Sequence, residues 1–174
     1  MDELALVARA LAEASDGKLD GTRAELAALR GAAPAMSKIP LNPQGPHNAE
    51  VIPQIMTRLA EAHIARAQKQ TAAEIEHLRA AVALEDSMDY NEPRDWLYPI
   101  REPLGAALLQ AGETAEAENV FREDLKRNPN NARSLFGMAE CLKARGKTAD
   151  AETAQKQFES AWKKADTKLT LADM

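Results

Sequence analysis

The chain has 174 residues, 45% of them hydrophobic and only 4% aromatic, with 35 alanines and a net charge of -5 from 22 basic and 27 acidic side chains. Ala, Leu, Glu, Lys, Arg and Gln favour helix over strand, which excludes a large β-domain. Ordinary apolar content at modest charge excludes a disordered chain, and no run of about 18 apolar residues is present to span a membrane.

Helical periodicity opens at residues 3–14, where Leu4, Val7, Ala8 and Leu11 share a face, and Asp16-Gly17-Lys18 ends it. A second helix is predicted over 20–30. Residues 31–47 then carry four prolines and two glycines, a density of missing N–H groups that predicts a connector without helix. The next pair spans 48–87, with Ile52, Ile55, Leu59 and Ala62 on one side of its first helix and a short break at Lys69-Gln70. An acidic turn follows, and Asn91-Glu92-Pro93 is read as the start of another helix, because proline suits the first turn. That pair covers 93–127 with a break at Gly112, and Asn128-Pro129-Asn130-Asn131 separates it from a final pair over 132–166. In the last helix Ala151, Ala154, Phe158, Trp162, Ala165 and Leu169 form one stripe, the pattern of a terminal helix with one face in water.

Self-similarity supplies the stronger signal. Leu104, Leu108, Gly112 and Ala117 are followed 34 residues later by Met138, Leu142, Gly146 and Ala151. Leu104-Gly105-x-x-Leu108, Gly112, Ala117-x-x-x-Phe121 and Pro129 fit the tetratricopeptide pattern except at its tyrosine, here Leu108. On these residues the chain resembles the tetratricopeptide repeat family. Small residues at Gly105 and Ala117 let paired helices approach while Phe121 fills the groove beside them. Two weaker units align once surpluses of nine and eighteen residues are placed in the acidic turn and the proline-rich stretch. Ala62, Lys69 and Leu78 match Gly105, Gly112 and Phe121, and Ala10, Gly17 and Leu26 match them in turn. Glu74 and Thr22 depart from the pattern at the small position of the second helix, and Lys69 departs at the turn glycine. The stretch from Tyr90 to Leu125 is similar to the C-terminal region of longer bacterial members, which makes the chain a candidate end of a larger solenoid.

The chemistry-bearing residues do not assemble into a catalytic motif. His47, His63 and His77 lack a third ligand at a known spacing. The run Glu85, Asp86, Asp89, Glu92 and Asp95 lacks the glycine and alternate ligands of a calcium loop. The single cysteine, Cys141, has no neighbouring base, and no phosphate-binding glycine loop or nucleophile elbow occurs. Tyr90, Trp96 and Tyr98 are read as part of an insertion that folds back, with Trp96 covering the joint between the second and third pairs.

The expectation is therefore an all-α, right-handed tetratricopeptide-like solenoid of about four antiparallel helix pairs, one domain over 1–174, without enzymatic activity or cofactor. The resemblance implies a concave face built from the second, fifth, ninth and twelfth positions of each first helix. Here these include Met56, Leu59, His63 and Arg66, then Glu102 and Leu109, then Arg133, Phe136, Glu140 and Lys143. Asparagine is absent from these places, so the surface is not a carboxylate clamp. Apolar anchors among mainly basic groups imply a protein or peptide partner with spaced apolar and acidic residues. The alternative is a structural segment that packs on its own parent chain or self-associates. The lack of a basic cluster argues against nucleic acid and anionic membranes as ligands. The N-terminus lacks the features of a secretory signal, which makes the cytoplasm the default compartment unless the chain is a piece of a secreted parent.

Overall fold

The structure, a computed structural model, describes residues 19–36 and 48–174. The helix expected over 3–14, residues 37–47 of the connector and His47 lie outside the described residues. Seven α-helices and no strand are present among those described: α1 Leu19–Met36, α2 Ile52–Ala67, α3 Thr71–Asp86, α4 Arg101–Gln110, α5 Thr114–Arg127, α6 Ala132–Ala144 and α7 Thr148–Trp162. Short 3-10 turns stand at Asn48–Glu50 and Leu171–Asp173. Packing divides the chain into two compact units, 1–98 and 99–174.

In the first unit α1 packs on α2 and α2 on α3. Helix α1 runs to Met36, six residues beyond the stop expected at Arg30, with Pro34 inside it. So close to the helix end a proline removes one intrahelical hydrogen bond, and the surrounding alanines favour helix. Leu29 and Met56 form a buried cluster, and Ile52 and Trp96 pack against it. Trp96 thus seals α1 against α2, which corrects its expected place at the joint between the second and third pairs. Pro93 does not open a helix. Asn91, itself buried, accepts from the backbone N–H of Glu92 at 3.0 Å and donates to Asp95, and these side-chain bonds compete with a helical turn. The next helix begins only at Arg101.

In the second unit α4 packs on α5, α5 on α6 and α6 on α7, with α4 also meeting α6. Phe121 on α5 is fully buried. Its ring edge lies where a Cβ on Gly105 of α4 would come within 2.5 Å and one on Gly137 of α6 within 2.2 Å. One aromatic ring is therefore wedged between two glycines on successive first helices. The role expected of Gly105 is seen, and Gly137 is a second contact that the 34-residue register did not single out.

The tight turns share one geometry across both units. Gly112 and Gly146 have φ of 85° and 70°, and Lys69 adopts 58° at the matching place. Each turn closes with the same long bond to the preceding helix: Gln70 N–H to the Ala65 carbonyl, Glu113 to Leu108 and Lys147 to Leu142, all at 2.9 Å. A left-handed residue at the helix end is what permits that closure. Lys69 adopts it without being glycine, which confirms the register assigned to the weaker repeat.

Candidate functional site

The residues expected on the concave face fall in both units. In the first unit, Met56 and Leu59 on α2 are buried, so their apolar surface is already covered by the fold. His63, one turn further along α2, is half-buried. Burial, with the positive charge of Arg66, pushes its imidazole down from 6.5 to about 4. Arg66 donates from Nε to Oε1 of Glu74 at 2.6 Å. Glu74 is only 5% exposed, so a paired carboxylate stands where the repeat pattern has a small residue. His77 faces Glu61 at 3.1 Å rather than a second histidine. No group of three or more potential metal ligands occurs among the described residues.

In the second unit the set gathers on α4 and α6. Glu102 is buried and accepts from Asn131 Nδ2 at 2.7 Å and Arg133 Nε at 2.6 Å. Burial raises the Glu102 carboxyl above its usual range, although Asn131 and Arg133 pull the other way. Asn131 caps α6 by accepting from the Arg133 N–H, and it also donates to Asp124 on α5 at 2.7 Å. Ser134 donates to the same Asp124 carboxylate at 2.6 Å. This buried polar network locks the turn between α5 and α6 and fixes Arg133 at the first turn of α6. Sequence reading took Asn128 to Asn131 only as a break, whereas the Asn at the cap followed by Ser134 carried the signal of a built turn.

From Arg133 the face continues along α6. Phe136 is half-buried, with its ring centroid 5.3 Å from Phe158, which stacks in turn on Trp162 at 6.0 Å. Glu140 pairs with Lys143 at 2.7 Å, and Lys143 is exposed and also reaches Gln155 on α7. Leu109, near the end of α4, is half-buried. In the second unit Arg133, Phe136, Glu140 and Lys143 thus follow one another at three- and four-residue spacing along one helix. The stripe expected through Ala165 and Leu169 ends earlier, since α7 stops at Trp162.

Glu118, buried on α5, lies among Arg122, Arg145 and Lys147. Its burial works against ionisation, but hydrogen bonds from the three cations leave the carboxyl below its usual range. Cys141 is buried, and its thiol is pushed up to about 12 by burial and then by the charge of Glu118. A thiol so disfavoured as thiolate is a packing group. Tyr90 and Tyr98 are exposed while Trp96 packs inward, so the three rings do not share one platform.

Residues 108–165 match the family model described as tetratricopeptide repeat. Among solved structures the chain is similar to the one titled "Crystal structure of MamA protein", with a TM-score of 0.50 at 15% identity over 97% of each chain. At that identity the likeness concerns the fold. No curated protein matches the chain.

Proposed function

We propose that the chain, whose residues 108–165 in the second unit match the tetratricopeptide repeat model, is a non-catalytic protein-interaction scaffold taking a partner peptide or helix on the face of α4 and α6. The observation that carries this reading is the row along α6. The part-exposed Phe136 lies between Arg133 and Lys143 in the order of the helix, on a helix whose other side is buried. Such a row suits a segment that lays down an apolar residue flanked by acids, with burial supplying most of the affinity and charge guiding approach. Leu109 on α4 is taken to border it, Glu102 is buried and serves to hold Arg133 rather than to meet a partner, and Glu140 sets an acidic limit that favours a basic or neutral residue at that end of the partner. In the first unit His63 and Arg66 flank the buried Met56 and Leu59. Arg66 serves Glu74 there, and any contribution of this helix to binding is through its exposed edge.

The test is capture of the partner from the source cell, followed by titration of the binding segment. Phe136→Ala should weaken binding by more than about 1 kcal/mol, as expected for a truncated interface anchor. Lys143→Ala should mainly lower the association rate and its salt dependence. Unchanged affinity and rate in both variants, with helicity preserved, would place the surface elsewhere and favour a segment that packs on its own parent chain or on a second copy.

A further inference from the structure

The α4–α6 face of the second unit is already in contact with peptide-like chain. After α7 ends at Trp162, the indole N–H donates to the Thr167 carbonyl at 2.9 Å and turns the backbone back. The 3-10 turn Leu171–Asp173 then packs on α4. Its shape is set locally by a capping box. The Thr170 N–H and hydroxyl both donate to Asp173 Oδ2, at 2.7 and 2.6 Å, and the Asp173 N–H returns to the Thr170 carbonyl at 3.1 Å.

Its attachment to the helices includes two side-chain bonds to its backbone. Gln110 of α4 donates to the Leu171 carbonyl at 3.4 Å, Arg133 of α6 donates from Nη2 to the Asp173 carbonyl, and Met174 is only 4% exposed. Arg133 is held for this task by its Nε bond to Glu102. Two side chains that grip main-chain carbonyls, with one buried apolar side chain beside them, read a backbone shape together with a single anchor. Residues 163–169 between α7 and this turn carry no helix or strand, so the segment is joined to α7 by irregular chain.

We propose that Thr170–Met174 is a resident occupant of this face. It stands in cis where a partner segment of the same chemistry binds in trans: a short turn with a hydroxyl residue, an acid three places on, and an adjacent apolar anchor. The segment lowers the apparent affinity for that partner by the fraction of molecules in which the face is covered. The inference rests on the reading of the α4–α6 face above and adds what the face recognises and how access to it is controlled.

The probe is a labelled, acetylated and amidated peptide of residues 167–174, measured by fluorescence anisotropy against the full chain. In a variant carrying Thr170→Ala and Asp173→Ala the local turn is loosened, and in Met174→Ser the anchor is removed while the turn remains. Both should bind the peptide about tenfold tighter or more than the unaltered chain, and adding Arg133→Ala should abolish the gain. The proposal is overturned if neither variant binds more tightly with helicity intact, or if the gain survives Arg133→Ala. It is overturned also if the peptide acts only by splitting a dimer seen on sizing, since a second copy would then be the occupant. Loss of peptide binding while a captured partner still depends on Phe136 would sink this inference and leave the reading of the face standing.

Discussion

At Phe121 the repeat pattern has a direct physical meaning. The ring is fully buried and wedged between Gly105 and Gly137, so an added methyl on either glycine meets an aromatic edge with no free side to move toward. Gly137→Ala should therefore destabilise the chain by roughly 1–3 kcal/mol. Combined with Phe121→Leu, the loss should be smaller than the sum of the two single losses. Chemical denaturation of the four proteins checks this, and strict additivity would remove the wedge from the account. His63 offers a second test at this scale. Its folded imidazole titrates near 4 rather than 6.5, so the fold favours the neutral form. Stability that His63 contributes is present above its unfolded value and is lost as pH falls from about 6.5 toward 4. The loss is at most about 3 kcal/mol, and partial exposure reduces it. His63→Gln should flatten the fall of the thermal midpoint between about pH 7.5 and 5, and an unchanged slope would assign the acid sensitivity to other groups.

Among the elements, departures from the repeat pattern have specific compensations. Glu74 occupies a place where Ala117 and Ala151 are buried in the other pairs, and Arg66 from the partner helix holds its carboxylate. Arg66→Ala should thus cost about 2 kcal/mol by leaving a buried carboxylate without its partner, and Arg66→Ala with Glu74→Ala should recover most of that loss. Equal stability of the single and double variants would mean that the pair contributes nothing. Helix pairing was legible because Gly112 and Gly146 stand 34 residues apart, Lys69 matches them once the nine-residue surplus of the acidic turn is allowed, and all three adopt the left-handed conformation. The ends of helices next to proline were less legible. Pro34 lies inside α1, and Pro93 lies in irregular chain. A proline limits its own backbone wherever it stands, but whether a helix continues depends on the neighbours that accept or replace its hydrogen bonds.

For the molecule as a whole, the all-α fold follows from composition and the 34-residue period, since both depend on local residue choices that each pair repeats. The candidate face was only partly legible. Arg133, Phe136, Glu140 and Lys143 do share α6, but Met56 and Leu59 occupy equivalent register positions and are buried. Register gives the direction of a side chain, whereas its exposure depends on which segment lies over it. The return of Thr170–Met174 to α4 had no periodic signal at all, because it rests on a Thr–Asp turn and two side chains far away in sequence. The central claim is that a partner binds the α4–α6 face. Site-specific photocrosslinking in the source cell tests it most directly, with the photoreactive residue placed at Lys143 on α6 or at Lys156 on α7, both exposed. The account predicts a discrete adduct with another protein from position 143 and none from position 156, whereas adducts from 156 alone would contradict it.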